Sequence, residues 1–196
     1  MKKLFTLLLF ICVCLSLFAC QGSSTTTTET TTTTVATTKW PQGAVELDSM
    51  VYRPLSDGTY ALCDVSPIMA NMTNIYIPGE INTPSGKAAV SAFDQEALMK
   101  CSNAQIVVIG NGFACERLCD SWFKYMPSLS RIYLFCDPMP IEVTLTDEST
   151  PYYGFAYYVL PDSYDAFLAQ STSEHILLLK NSNSRNTEAF FKERIN

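Results

Sequence analysis

The sequence predicts an α/β protein built as a short solenoid, in which the strands of a parallel β-sheet alternate with short helices or 3₁₀ turns. The first observation is an apolar pattern whose clearest copy is Leu129-x-x-Ile132-x-Leu134. The second is its recurrence, with related copies centred on Ile75, Val107 and Tyr158. The four centres lie 32, 25 and 26 residues apart. Repeats of this period are typical of stacked units that together bury one core.

The central repeat contains both parts of such a unit. Trp122 and the phenylalanine after it are predicted to lie in a short helical or 3₁₀ segment, which ends before Pro127 because proline disfavours a helical conformation in the preceding residue. In the strand that follows, residues two apart share a face. Ile132 and Leu134 are therefore expected to point inward, and Tyr133 outward.

Four motifs follow one another in a fixed order along the chain. They are Asp57–Ala61 (DGTYA), the Ala92-Phe93 step, the spacing from Phe123 to Leu129, and Tyr158–Phe167 (YVLPDSYDAF). This order resembles the BspA-type leucine-rich-repeat proteins of bacterial surfaces, over roughly residues 52 to 180. The resemblance implies a leucine-rich-repeat-like domain that binds or adheres to a partner and has no catalytic activity.

The repeat alignment also assigns residues to the outer face of the predicted sheet. Those residues are Tyr76, Val108, Tyr133 and Val159, with Tyr157 nearby. Tyrosine offers a large contact area with a polar tip, which suits recognition, so these residues form the candidate binding face. The alternative is that they reflect only the ordinary preference of aromatic and β-branched residues for strands.

The N-terminus has the organisation of an export signal. Basic residues at positions 2 and 3 precede the apolar stretch Leu4–Phe18, which is short for a membrane-spanning helix. The segment Leu17-Phe18-Ala19-Cys20 resembles the bacterial lipobox. That resemblance implies lipidation of the Cys20 sulfur, cleavage before Cys20, and an extracytoplasmic protein anchored to the bacterial cell membrane. The alternative is an ordinary secretory signal that is cleaved near Ala19.

The composition after the signal separates a tether from a domain. Residues 21–39 are rich in threonine and almost free of large apolar side chains, so they are expected to be a disordered tether, either bare or O-glycosylated. Residues 40–196 are expected to form one folded domain. Without the signal the chain carries eleven basic and nineteen acidic side chains, a formal net charge of −8. This acidity argues against a nucleic-acid partner, which requires clustered lysine and arginine.

The cysteines do not form a recognisable framework. Cys12 and Cys14 leave with the signal, and five others remain besides Cys20, namely Cys63, Cys101, Cys115, Cys119 and Cys136. Export would permit disulfides, and an odd number leaves at least one free thiol. Cys115 and Cys119 would share a face if they lay on a helix, but no second pair completes a metal site. The main expectation is that these side chains are small buried apolar groups.

Two other classes of function stay open at this stage. An envelope hydrolase would place His175, the single histidine, beside a cysteine together with a third orienting group. A small solute-binding lipoprotein would need a deep closed pocket. No cofactor is expected, because Gly110-Asn111-Gly112 lacks the spacing of a dinucleotide-binding loop and is predicted to be a turn.

The remaining segments carry weaker local signals. Val45–Pro54 is predicted to be one strand, and the turn-rich stretch Pro78–Lys87 a loop. Ala88–Cys101 and Phe113–Phe123 have helical spacing of their apolar residues. Ser163–Gln170 is predicted to be a short helix.

Overall fold

The structure is a computed structural model, which describes residues 40–142, 154–171 and 176–195. The predicted lipidation site Cys20, the tether at residues 21–39 and the single histidine, His175, lie outside the described residues. Within the described ranges, no helix combines the length and the apolar composition that crossing a membrane requires.

The described residues form short strands, short α-helices and 3₁₀ turns. The strands are β1 (Val45–Leu47), β2 (Met50–Pro54), β3 (Tyr60–Val65), β4 (Asn74–Ile77), β5 (Glu80–Thr83), β6 (Gly86–Phe93), β7 (Ile106–Ile109), β8 (Leu118–Cys119), β9 (Arg131–Leu134), β10 (Ile141–Glu142), β11 (Ala156–Val159) and β12 (Leu178–Lys180). The helices are α1 (Pro67–Ala70), α2 (Gln95–Lys100), α3 (Tyr164–Gln170) and α4 (Glu188–Ile195), with 3₁₀ turns at Asp120–Trp122 and Pro161–Ser163. The chain is therefore a mixed α/β protein, as predicted.

The first sheet has five strands in the order β1-β2-β3-β6-β5. Its neighbours are antiparallel except for β3 and β6, which are parallel. Arg53 on β2 donates two hydrogen bonds, of 2.8 and 2.7 Å, to the carboxylate of Asp94, the residue before α2. This two-pronged pair fixes the start of α2 against the sheet.

Three of the local predictions in this region are wrong. Val45–Pro54 is two strands rather than one, because Asp48 and Ser49 adopt positive φ angles of 49° and 64° and form a tight hairpin turn. The predicted loop Pro78–Lys87 is instead most of the β5–β6 hairpin. The predicted helix Ala88–Cys101 is a strand as far as Phe93 and a helix only from Gln95.

The second five-stranded sheet is entirely parallel and has the order β12-β11-β9-β7-β4. Its strands therefore lie side by side in the order in which they occur along the chain. Ile75, Val107 and Ile132 occupy one row across the sheet. The predicted parallel sheet is observed, and the four repeat strands lie next to one another in it.

The register of the fourth repeat differs from the prediction by one residue. Tyr157, and not Tyr158, lies beside Ile132, and Tyr158 lies beside Tyr133. Because successive side chains on a strand point to opposite faces, a shift of one residue exchanges the two faces. Tyr157 and Val159 therefore belong to the inner face rather than to the outer face to which they were assigned.

The connections between the parallel strands are mostly irregular. The 3₁₀ turn at Asp120–Trp122 lies where a short helical segment was predicted, but Phe113–Phe123 as a whole is not a helix. Instead, β8 pairs in parallel with β10 and forms a small third sheet. The predicted helix Ser163–Gln170 is observed as α3, which begins one residue later.

The main core lies on the inner face of the parallel sheet. Four phenylalanines connect its parts. Phe93 stacks on Phe113 with ring centroids 5.0 Å apart, and Phe123 lies 6.2 Å from Phe93 and 6.0 Å from Phe155. Inner-row side chains such as Ile132 and Val159 are fully buried against this group. Aromatic rings thus join the first sheet to the repeat units.

All five cysteines in the described part of the chain are free thiols. Cys101 and Cys136 are buried, whereas Cys63, Cys115 and Cys119 are partly exposed. Burial raises the pKa of the Cys101 thiol to about 11 and that of Cys136 to about 12. Cys115 and Cys119 do not lie on a helix, so they share no helical face.

Candidate binding face

The outer face of the parallel sheet carries one continuous row of large side chains. Strand pairing aligns Tyr76, Val108, Tyr133, Tyr158 and Leu179, one from each strand from β4 to β12. We refer to these five residues as the outer row. They are brought together because the alternation along a strand sends them all to the side away from the main core.

The outer row is buried on its first three strands and becomes exposed towards β12. Tyr76, Val108 and Tyr133 expose only 8%, 0% and 3% of their surface. Tyr158 is partly exposed, and Leu179 exposes 36%. The C-terminal helix α4 causes this gradient, because it packs on the β4 side of the sheet, where Phe191 joins Tyr76, Val108 and Tyr133 in a second apolar cluster.

Aromatic rings fill the space between α4 and the sheet. The Phe191 ring lies with its centroid 4.7 Å from that of Tyr133 and 6.2 Å from that of Phe135. Tyr133 in turn stacks on Tyr158, with centroids 5.0 Å apart and an interplanar angle of 24°. The buried aromatic contact under α4 therefore continues without a gap into the partly exposed ring of Tyr158.

A single carboxylate anchors the start of α4 to the same face. The Tyr76 hydroxyl donates a hydrogen bond of 2.8 Å to Oε1 of Glu188, and the backbone N–H of Asn111 donates another of 2.9 Å to the same oxygen. Burial raises the pKa of Tyr76, and the hydrogen bond to Glu188 raises it further. The hydroxyl therefore remains protonated and acts as a donor throughout the ordinary pH range.

The turn after β7 is shaped to admit this carboxylate. A Cβ atom added to Gly110 would lie 2.6 Å from the Tyr76 hydroxyl oxygen and 2.7 Å from Oε1 of Glu188. Only glycine leaves room for this contact. Gly110-Asn111-Gly112 is thus a turn, as predicted, and its Asn111 N–H binds an anion, but the anion is a carboxylate of the same chain.

The segment that leads into α4 also contacts the sheet. Asn186 donates a hydrogen bond of 3.2 Å from its side-chain amide to the Tyr133 hydroxyl. The backbone carbonyl of Asn186 accepts a bond of 2.8 Å from the side chain of Asn181, which is buried directly after β12. Residues 181–186 therefore cross the outer face on a path fixed at both ends.

Three of the five candidate binding residues are brought together here, and two are not. Tyr76, Val108 and Tyr133 share the outer face, whereas Tyr157 and Val159 lie in the main core. The alignment missed Tyr158 and Leu179. Residues 155–160 read FAYYVL, and a run without polar residues gives no alternation from which to choose a face.

A polar groove borders the covered end of the outer row. Its volume is about 430 Å³, and among the side chains that line it are those of Glu80, Asn82, Lys87, Asn111, Glu188 and Lys192. Lys87 and Glu80 form an ion pair of 3.4 Å across it. The groove therefore offers both hydrogen-bond donors and acceptors.

A second cleft, of about 510 Å³, lies beside β3. Trp40, Glu46, Asp64 and Lys100 contribute to its lining. The buried carboxylate of Asp64 accepts a hydrogen bond of 2.8 Å from the Val65 N–H and pairs with Lys100. Asp64 and Lys100 are therefore already engaged with each other. Among the described residues, no group of three or more His, Cys, Asp or Glu side chains is placed to hold a metal ion.

No family model matches this chain, and no curated protein matches it. Among solved structures, it is similar to a leucine-rich repeat protein from Bacteroides capillosus, with 17% identity and a TM-score of 0.43 over 73% of this chain and 96% of that one. It is also similar to a leucine-rich cell surface protein from Faecalibacterium prausnitzii, with 15% identity and a TM-score of 0.38 over 69% of this chain. The matched region covers 32% of that second protein.

Proposed function

We propose that this chain is an extracytoplasmic lipoprotein, held on a bacterial cell membrane by lipidated Cys20, whose leucine-rich-repeat-like domain binds a protein or glycan without catalysis. The observation that carries the binding role is the outer row. It is a continuous band of side chains across five parallel strands, and it ends in the partly exposed Tyr158 and the exposed Leu179. Contiguous aromatic and aliphatic side chains of this kind are typical of recognition surfaces.

The proposed anchor rests on the sequence of residues 1–20 and 21–39. Two acyl chains on Cys20 would suffice for stable attachment to the membrane. The threonine-rich tether would then lift the domain away from the bilayer. Together these segments would display the outer row to partners outside the cell.

The anchor is tested by metabolic labelling with an alkyne fatty acid in bacteria that express the full chain. Incorporation is expected in the wild type and in the matched control Cys14→Ser, and its loss is expected in Cys20→Ser. Labelling that persists in Cys20→Ser, or that is absent from the wild type, would refute lipidation at this position.

The binding role is tested with cells that display the full chain on arrays of glycans and of extracellular proteins. Tyr158→Ala is expected to weaken capture roughly tenfold or more, since a central aromatic contact is often worth 2 kcal/mol or more. Tyr125→Ala is the matched control, because Tyr125 is an exposed tyrosine that does not belong to the outer row. An equal effect of both substitutions would contradict binding at this face.

A further inference from the structure

The helix that covers the outer row is short and shallowly seated. α4 has eight residues, and Phe191 is the buried one among those whose side chains are described. Ala189, Lys192, Glu193 and Arg194 are all exposed. Isolated helices shorter than about 12 residues are marginal in water, so the order of α4 depends on its contacts with the sheet. Loss of one anchoring contact would therefore loosen the whole segment.

We propose that α4 is a displaceable occupant of the outer row, and that the ligand of this face is a protein segment that presents a carboxylate and, three residues later, an aromatic ring. This inference rests on the proposed binding role of the outer row and narrows its ligand to protein. Glu188 and Phe191 show the required pattern, and residues three apart share one face of a helix. The chain's own C-terminal segment thus serves as a model of the ligand that the outer face binds.

The carboxylate of the ligand is recognised by two hydrogen-bond donors, which form a small binding site for one of its oxygens. The Tyr76 hydroxyl and the Asn111 N–H converge on Oε1 of Glu188 at 2.8 and 2.9 Å. Hydrogen bonds to an ionised acceptor are stronger than those between neutral groups. Gly110 keeps the approach open, because any larger residue would place an atom 2.7 Å from that oxygen. This oxygen-binding site therefore favours an acidic side chain over a neutral one of similar shape.

The aromatic ring of the ligand is recognised by an apolar site, which Phe191 occupies in this structure. Phe191 exposes 6% of its surface, and its ring contacts Tyr133 and Phe135. The neighbouring Val108 is fully buried beneath it. A sugar in this apolar site would bury hydroxyl groups without hydrogen-bond partners, and that burial would cost binding free energy. A peptide with an aromatic side chain satisfies both sites at once.

The covering helix and an incoming segment would compete for one site. A ligand that binds only the uncovered state has its apparent affinity reduced by the fraction of molecules in which the face is uncovered. Loosening α4 should therefore strengthen binding of the external segment, although no contact to that segment has been added.

The test uses the full chain and a fluorescent peptide with the sequence of residues 184–196, SRNTEAFFKERIN. The variant is Glu188→Ala, which removes the carboxylate from the covering helix, and the matched control is Glu193→Ala on the exposed side of α4. Hydrogen exchange measures release of α4 and, in the same sample, protection of the amides of β7 and β9. Retained protection of those strands shows that the variant is folded.

We expect α4 amides to exchange at least tenfold faster in Glu188→Ala than in the wild type or in Glu193→Ala. Fluorescence anisotropy should show the peptide binding Glu188→Ala at least tenfold more tightly than either of them. A peptide in which alanine replaces the residues equivalent to Glu188 and Phe191 should lose at least tenfold in affinity. Phe191→Ala in the full chain is the second variant, which is expected to release α4 by removing the apolar contact.

Four results would overturn the inference. They are unchanged exchange of α4 in both variants, release of α4 without tighter peptide binding, equal binding of the doubly substituted peptide, and a dimer formed by exchange of α4 between two copies. Displacement of the peptide by glucuronic acid at peptide-like concentrations would also overturn the assignment to protein. None of these experiments needs an external partner. A failure on the arrays would therefore remove the proposed function, and with it the assignment of an external ligand, without changing the measured displacement of α4 by the peptide.

Discussion

The Tyr76 hydroxyl donates a hydrogen bond of 2.8 Å to Glu188, a residue 112 positions further along the chain. The bond joins the first strand of the parallel sheet to the last helix. Since Tyr76 is buried and Glu188 is only partly exposed, the bond is shielded from water. It marks the point at which the C-terminal segment closes over the outer row.

Removing this hydroxyl should loosen the C-terminal helix without disturbing the sheet. Tyr76→Phe is expected to lower the free energy of unfolding by about 1.5–3 kcal/mol, the usual range for a hydrogen bond to a charged group, while Asn111 still holds the carboxylate. Urea unfolding measures the change. Tyr125→Phe, which alters an exposed tyrosine, is the control and should have almost no effect. A loss no larger than that of the control would contradict a stabilising role for the bond.

Filling the space at Gly110 should displace α4 directly. The added methyl group of Gly110→Ala would lie 2.6 Å from the Tyr76 hydroxyl oxygen, a distance at which one of the two groups must move. Hydrogen exchange at α4 is expected to rise at least tenfold while the amides of β7 stay protected. Gly58→Ala is the comparison, because it introduces strain at a φ of 86° but meets no neighbouring atom. Equal exchange of α4 in both variants would refute this account.

From the register of β11 we predict different effects on stability when phenylalanine replaces each of two adjacent tyrosines. Among the described residues the hydroxyl of Tyr157 is buried and has no hydrogen-bond partner, so Tyr157→Phe should remove a desolvated group and raise stability by roughly 1 kcal/mol. Tyr158→Phe alters a partly exposed residue and should change stability little. Thermal unfolding of both variants measures the difference. A loss of stability in Tyr157→Phe alone would contradict the unpaired hydroxyl.

The aromatic core should be sensitive to truncation at its centre. Phe123 exposes 1% of its surface and contacts both Phe93 and Phe155. Phe123→Ala is expected to cost about 3–5 kcal/mol, through lost burial and the cavity left behind. Tyr125→Ala, two residues away and exposed, should cost far less. Chemical denaturation measures both, and similar losses would contradict the placement of Phe123.

Stability should fall at alkaline pH because of the buried thiols. Burial raises the pKa of Cys101 to about 11 and that of Cys136 to about 12, above the value of 9.0 for an exposed thiol. Between these values the folded chain holds protons that the unfolded chain has lost, so unfolding becomes easier as the pH rises. The contribution is complete below pH 9 and is lost progressively between pH 9 and the folded-state pKa values of about 11 and about 12.

The measurement is the free energy of unfolding from pH 8 to pH 12 in the wild type and in the double variant Cys101→Ala and Cys136→Ala. The variant is expected to be less stable at pH 8 but to lose less stability as the pH rises. Cys63→Ala is the control, since Cys63 is partly exposed. Parallel pH curves for the wild type and the double variant would contradict the raised pKa values.

The parallel sheet was predictable because its signal is local. Around Ile75, Val107 and Ile132, apolar residues alternate with others at the spacing of a strand, and the strands recur at a near-constant period. The same reasoning failed at Tyr158, where every neighbour is apolar or aromatic and burial alone selects the face. It also failed at the β5–β6 hairpin, whose turn residues resemble those of a loop.

The cover over the outer row could not be predicted from local pattern. Glu188 lies in a polar C-terminal stretch that gives no indication of a partner. Its role depends on Tyr76 and on the backbone at Asn111, which only the folded chain brings within reach. Tyr76, Val108 and Tyr133 were predicted to share the outer face, as they do, but the placement of a C-terminal helix over that face was not predicted.

The order of the parallel strands has a consequence for how such a chain can change in length. Since β4, β7, β9, β11 and β12 follow one another in space as they do in sequence, a duplicated stretch of about 25 residues would add one strand without rethreading the rest. Each added strand would extend the outer row beyond the reach of an eight-residue helix. Elongation by duplication would thus enlarge the open surface while the closed end stayed constant.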